Sequence, residues 1–346
     1  MSRFDLSIVC RQGLRWQPLE VSEMRYRKLG KSDISVSEVS LGCWTLGGLN
    51  WVNGNANGWA NVDEKEVARA IDYALARGVN HFDNADVYGN GRAERMLARI
   101  LGSRSKELVI ATKVGHFPGT AEHAYEPQHI RHQCEQSLVN LRRDYIDIYY
   151  LHHGDFGPDD RYLEGAIQTV QDLKREGKIR AIGQSAYSSA DFLRVVPKLQ
   201  PEVLQSWAHA MDTQFIRPGS SVRRLLDEGQ MSFVAFSPLA QGMLLGKYKA
   251  GQVPDFEPGD HRRGSDRFSD EALQKIEPKL AKLKARFGDT TQALARVALQ
   301  YLLSEPCVAC VIPGFRNLAQ AEINVDAAEV PLVEAEVAAI REIFGE

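Results

Sequence analysis

Four residues stand where short apolar runs stop, and together they could move a proton. Residues 78–93 read GVNHFDNADVYGNGRA, in which Asp83 and Asp86 close an apolar-leaning run and Tyr88 follows in a glycine-rich turn. Lys113 closes LVIATKVG and His152 lies at the end of IDIYYLHH. A buried carboxylate is costly unless it is paired, and Lys113 is the partner that Asp83 needs. A phenol ordinarily ionises near pH ~10, and a neighbouring ammonium lowers that value toward working pH. The expected chemistry is therefore proton transfer at Tyr88, with Asp83 keeping Lys113 charged and aimed. Taken singly, each residue has an ordinary structural reading as a loop carboxylate, a snorkelling lysine, a core imidazole or a turn tyrosine. Their coincidence on three successive strand ends argues for a site.

The elements that must position them alternate in type. Strand-like runs occur at 36–44, 80–85, 108–115, 146–153, 179–186, 203–210, 232–239 and 307–314, with amphipathic helical patterns between them, such as 64–77, 128–141, 162–176 and 291–303. Eight strand–helix units predict a closed (β/α)8 TIM barrel, with a doubly wound open sheet as the alternative. In such a barrel the active site lies at the C-terminal ends of the strands, which is where the four residues stand. Residues 24–346 read as one barrel, whereas residues 1–23 carry no sustained periodicity and read as an extension. The segment after strand seven, about 241–286, contains Pro254, Pro258 and DHRRGSD and reads as a long functional loop.

Composition narrows the function. At 346 residues with 44% hydrophobic and 25% charged residues, the chain has ordinary globular make-up. A formal charge of -3, without basic blocks, gives no footprint for nucleic acid or an anionic membrane. No run approaches a membrane span, and five cysteines with no signal-peptide pattern suit a reducing cytoplasm. Small-molecule chemistry is the expectation, and oligomeric state is left open. Cys307 and Cys310 invite a redox or metal reading, but residues three apart on a strand face opposite ways, so no metal is expected.

The stretches LGCWTLGG, GVNHFDNADVYGNGRAE, LVIATKVG, DYIDIYYLHH, GKIRAIGQSAYS, FVAFSPLAQGMLLGKY and VIPGFRN, in this order between about residues 24 and 324, resemble the aldo-keto reductase family. That resemblance implies a TIM barrel binding NADP(H) across its mouth, with hydride transfer between nicotinamide and a carbonyl. Tyr88 would be the general acid, with Asp83, Lys113 and His152 completing a tetrad. His152 takes the orienting role and His153, its neighbour on the strand, a place at the pocket rim. The resemblance further implies cofactor contacts from Ser185 and Gln205 to the carboxamide, Phe236 stacking on the nicotinamide, Ser237 and Leu239 at the pyrophosphate, and Asn324 at adenine. Two departures stand out: Ser185-Ala186 where the family has Ser-Asn, and Gly314-Phe315 where many members have Lys-Ser. Arg316, with Gln320 nearby, is then the candidate for the 2′-phosphate. Trp44 resembles a wall aromatic of the substrate pocket. Trp51 and Trp59, in LNWVNGNANGWANV, would form a lid or pack on the rim.

Other hydride-transfer designs lack their signatures. None of the eleven tyrosines has a lysine four residues on, and no Gly-x-Gly-x-x-Gly opens a helix after a strand. His129 and His132 fall on a predicted helix outside the barrel, which does not suit a zinc hydrolase. The alternative function is an NADPH-binding, redox-sensing regulatory subunit, since the family includes the β subunits of potassium channels.

Overall fold

The computed structural model describes residues 24–345 apart from Asn53, so the expected extension over residues 1–23 lies outside the described residues. The chain opens with an antiparallel hairpin, β1 (Tyr26–Lys28) and β2 (Ser35–Ser37). Then come β3 (Leu41–Gly42), a second hairpin of β4 (Trp51–Val52) and β5 (Asn55–Ala56), α1 (Glu64–Ala76), β6 (His81–Asp83), α2 (Arg92–Leu101), β7 (Val109–Val114), α3 (Pro127–Leu141) and β8 (Ile146–Leu151). The order continues with α4 (Leu163–Arg175), β9 (Ile179–Ser185), α5 (Ser189–Leu199), β10 (Val203–Trp207), α6 (Ser221–Gly229), β11 (Ser232–Phe236), α7 (Asp270–Phe287), α8 (Thr291–Leu303), β12 (Val308–Ile312), α9 (Leu318–Asp326) and α10 (Glu334–Phe344).

Strands β3 and β6 through β12 form one parallel sheet in sequential order, and the bridges Val39–Val311 and Gly42–Gly314 join its two edges. This is the expected (β/α)8 barrel. Side chains alternate across each strand. On β8, Ile148 and Tyr150 enter the small lumen core while Tyr149 and Leu151 pack under the helices. The β1–β2 hairpin covers the barrel floor, burying Leu29, Ile34 and Val36 against the lumen side chains. Arg27 fastens it by donating to the carbonyls of Leu303 (2.7 Å) and Val308 (2.8 Å) and by pairing with Glu38. Several helices start on a side-chain cap, as at Ser188, Ser220, Thr290 and Asn317.

Two expectations about elements need correction. The run expected as one strand over 36–44 is divided: Ser35–Ser37 belongs to the floor hairpin, Leu41–Gly42 to the barrel, and Trp44 opens a single 3-10 turn. Glu38, held by Arg25 and Arg27, turns the chain between them. The segment expected as a loop over 241–286 is loop only in its first part. From Asp270 it is α7, started by the Ser269 hydroxyl accepting from the Ala272 amide and continuing through Pro278. The loop proper crosses back to the β3 end of the barrel, where Asp260 bridges Gly58 and the His261 amide donates to the Gly58 carbonyl at 2.8 Å. Among the described residues, no helix is long and apolar enough to cross a membrane.

Candidate active site

Strand alternation brings the proton-transfer residues to one rim. On β7, Val109 and Ala111 face the lumen and Lys113 follows them in phase. On β8, His152 follows Ile148 and Tyr150 in the same way. Asp83 ends β6, paired with Gly42 on one side and Ala111 on the other. Tyr88 reaches the same place through a tight turn, its amide donating to the Ala85 carbonyl at 3.2 Å. Gly89 (φ 60°) makes that turn possible, since a Cβ there would lie 2.3 Å from the Gly47 carbonyl oxygen.

Lys113 Nζ donates to Asp83 Oδ1, to the Asn84 carbonyl at 2.6 Å, and reaches the Tyr88 hydroxyl at 3.4 Å. Asp83 accepts a second bond from Gln205 Nε2 at 2.8 Å. Asp83 and Lys113 are both buried, so the pair is compensated inside the protein. The Tyr88 and His152 ring centroids are 6.0 Å apart, edge to face. His152 is buried and its Nδ1 has no hydrogen-bond partner among the described residues.

The expected acidity of Tyr88 is not found in this arrangement. Burial, and then the negative charge of Asp83, push its hydroxyl well above the ordinary phenol value. Lys113 is committed to Asp83 and Asn84, so the ammonium does not outweigh desolvation. Tyr88 is therefore held as a neutral O–H donor. Burial, followed by the charge of Glu94, also raises the Asp86 carboxyl, and its Oδ1 caps the Val87 amide at 2.6 Å. Asp86 is a turn residue beside the tetrad.

A cavity of about 540 Å³ opens on this rim, lined by Asp83, Tyr88, His152 and Gln205 at one end and by Arg316, Gln320 and Asn324 at the other. Its aromatic wall holds Trp44, Trp59, Trp207 and Phe236. Two wall residues that sequence reasoning missed are His116 and Tyr187, joined by a 3.2 Å hydrogen bond. They stand in loops three residues after Lys113 and two after Ser185, where no strand period extends. Trp59 is packed, edge-on to Trp44 at 5.3 Å with the Arg262 guanidinium over its ring at 4.7 Å. Trp51 is 54% exposed and does not line the cavity, so the two tryptophans form no joint lid. His153 also stays out of the cavity, its Nε2 on the Gly115 carbonyl at 2.7 Å.

The far end of the cavity is cationic. Lys247, Arg262, Arg267 and Arg316 line it, and among the described residues only Arg262 has an ion-pair partner, Asp260 at 2.7 Å. Burial and the neighbouring guanidinium groups hold Lys247 and Arg316 below their ordinary pKa values. Unsatisfied positive charge facing a cavity fits an anion such as a phosphate. Lys247, Arg262 and Arg267 were not singled out from sequence, although GKY and DHRRGSD lie in the segment marked as functional. Arg316 Nη1 donates to the Ala60 carbonyl (2.7 Å), and its amide donates to Gln320 Oε1 (2.8 Å). Phe315, in place of the family's serine, has its ring fully buried in the helix layer and does not line the cavity, while its carbonyl accepts from the Thr45 hydroxyl. Gly314 accepts from Asn324 Nδ2 at 3.2 Å, both on the cavity wall. Between the two ends the turn after β11 takes positive φ at Ser237 (53°), Ala240 (47°) and Gln241 (56°), a contour in which backbone amides can face a diphosphate. Ser237 and Leu239 line the cavity there. Ser185, in register with Gln205, has a buried Oγ without a hydrogen-bond partner among the described residues, but unlike Gln205 it does not line the cavity. The residues present therefore fit a phosphorylated dinucleotide.

A family model described as Aldo/keto reductase family matches residues 38–344. The chain is 29% identical over 331 residues to the uncharacterized oxidoreductase YqkF of Bacillus subtilis (strain 168), covering 92% of this chain and 96% of that protein. It is 30% identical over 326 residues to a probable voltage-gated potassium channel subunit beta of Arabidopsis thaliana, covering 89% and 92%. Its fold matches the glycerol dehydrogenase AKR11B4 from Gluconobacter oxydans with a TM-score of 0.75 at 25% identity, over 92% and 94% of the two chains.

Proposed function

Because the chain belongs to the aldo/keto reductase family, we propose that it is an NADP(H)-dependent oxidoreductase interconverting aldehydes or ketones and alcohols, with Tyr88 as general acid and base. The observation that carries this reading is the Tyr88 hydroxyl, 3.4 Å from Lys113 Nζ on the wall of a cavity whose far end is cationic. When bound, the nicotinamide supplies or accepts the hydride. Tyr88 gives its proton to the carbonyl oxygen in reduction and takes it back from the alcohol in oxidation. Lys113, held by Asp83, stands behind the Tyr88 hydroxyl and supports it as its proton moves, and His152 orients the substrate. Ser185 and Gln205 hold the carboxamide, Phe236 stacks on the ring, and Ser237 and Leu239 take the diphosphate. Asn324 contacts adenine. Arg316 and Gln320, with Lys247 and Arg262, select the 2′-phosphate. Trp44 walls the substrate. The compartment is the cytoplasm, in keeping with the four free, buried cysteines among the described residues.

The test is NADPH oxidation by the wild-type chain across a panel of aldehydes and ketones, repeated with NADH and with Tyr88→Phe. A second reading, a cofactor-sensing regulatory subunit, is favoured by the likeness to a probable channel β subunit. Tight NADPH binding with negligible turnover on every carbonyl would select it.

A further inference from the structure

Sequence places Trp59 with the substrate as part of a lid, yet the charges beside it belong to the cationic end of the cavity. The Arg262 guanidinium lies over its ring at 4.7 Å and that of Arg316 at 5.9 Å, both within reach of a cation–π attraction. Trp59 lines the cavity together with both arginines and is only 8% exposed, so these contacts are largely withdrawn from water. Its ring is fixed from two directions. Trp44 meets it edge-on at 5.3 Å, and the preceding Gly58 bridges Asp260 and accepts from the His261 amide at 2.8 Å.

The two arginines are held in different ways. Asp260 takes Arg262 by two bonds, Nε to Oδ1 at 2.9 Å and Nη2 to Oδ2 at 2.7 Å, and the Phe256 ring lies 4.2 Å from the same guanidinium. The charge of Arg262 is therefore answered. Arg316 has no ion-pair partner among the described residues, and its Nη1 donates instead to the Ala60 carbonyl at 2.7 Å. Trp59 and Ala60 are consecutive, so one short segment offers Arg316 both a π face and a carbonyl oxygen. Each carries partial negative charge and can hold a guanidinium without neutralising it, as a carboxylate would. Burial and then the charge of Arg262 work against the protonated form of Arg316, and a ring in contact with both guanidinium groups offsets that repulsion. Arg316 thus keeps its charge and most of its forked N–H donors for an anion in the cavity.

We propose that Trp59 is a positioning residue for Arg316, seating that guanidinium on its ring so that the chain tells a dinucleotide with a 2′-phosphate from one without, rather than a lid over the substrate. This rests on the NADP(H) reading above. The test is calorimetric titration with NADPH and with NADH, a readout that needs neither turnover nor the tryptophan that is removed. Trp59→Met keeps bulk and loses the π face; it should weaken NADPH by about 5–30-fold, the range of a desolvated cation–π contact, and NADH by less than about threefold. Trp59→Phe keeps a smaller face and should lose less. In an Arg316→Ala background, Trp59→Met should cost NADPH less than about a further twofold, because the seat then has nothing to hold. A merely structural role would weaken both nucleotides alike and would multiply with Arg316→Ala. An NADPH-to-NADH affinity ratio unchanged by Trp59→Met, equal losses for the two nucleotides, or effects that multiply in the double variant overturn this proposal alone. Wild type binding NADPH no more tightly than NADH overturns the NADP(H) reading and this proposal with it.

Discussion

The two ends of the cavity treat charge in opposite ways. At the barrel rim, Lys113 is answered by Asp83, Asp83 is bonded again by Gln205, and the histidines are neutral. At the loop end, Lys247, Arg267 and Arg316 stand without carboxylate partners among the described residues, and two of the cations are held below their ordinary pKa values. A compensated end presents neutral hydrogen-bonding groups and suits a neutral reactant. An uncompensated end is destabilised by its own repulsion until an anion arrives, so part of the binding energy is stored there in advance. Under the proposed function, the difference separates chemistry, assigned to strand ends, from affinity, assigned to loops.

Mutations at each end should fail differently. Tyr88→Phe should lower kcat by about 10²–10⁴-fold and leave the NADPH Kd unchanged, read by steady-state kinetics beside fluorescence titration. A matched loss of NADPH binding would erase the distinction between the ends. The same hydroxyl sets the pH law. Its raised pKa keeps the donor form through neutral and mildly alkaline solution, so reduction should stay flat from about pH 6 to about pH 9. Oxidation, which needs the phenolate, should climb with pH over the same range. No acid limb from His116 should intrude, because that ring titrates only at about 4.

Next in size is the cost of breaking the compensation. Lys113→Met leaves Asp83 buried and unpaired, and should destabilise the fold by about 3–5 kcal/mol in urea unfolding. Adding Asp83→Asn to the same chain should recover much of that loss. If the single variant is as stable as wild type, the rim pair is no structural unit. Arg316→Ala should then weaken NADPH by about 10–100-fold, the range of a charge-assisted hydrogen bond, and change NADH by less than about threefold. Equal losses for both cofactors would move the phosphate to Lys247 or Arg262. The smallest effect is ionic. Raising salt from about 0.05 to about 0.5 M should weaken NADPH by a few-fold and leave kcat at saturation in place.

The same division explains what sequence could reveal. Asp83, Lys113 and His152 were legible because a strand has a period of two, so a residue in phase with lumen side chains must reach the rim. Tyr88 was legible through Gly89, whose turn admits no side chain. The acidity of Tyr88 was misjudged because sequence displays the neighbouring ammonium but not the desolvation that outweighs it. His116, Tyr187, Lys247, Arg262 and Arg267 sit in loops, where no period carries a residue to a known place. Trp51 and Trp59 are alike in sequence, yet one is exposed and one packed, because Arg262 crosses from a distant loop to cover only Trp59. The helix Asp270–Phe287 was obscured by its own Pro278 and the prolines before it, although Ser269 followed by Asp270 and Glu271 is a helix-start pattern.

The floor hairpin has a consequence in time. Arg27 bonds the carbonyl of Leu303, 276 residues further on, and Leu29, Ile34 and Val36 are buried against side chains of β7 through β12. At a synthesis rate of about 5–20 residues per second, these residues leave the ribosome roughly 15–55 s before the chain that receives Arg27 exists. The first apolar segment among the described residues thus waits for the eighth strand, and the barrel's floor is sealed only once Leu303 and Val308 have been made. Nascent chains stalled short of Leu303 should be cut by protease near the hairpin, and released full-length chains should not.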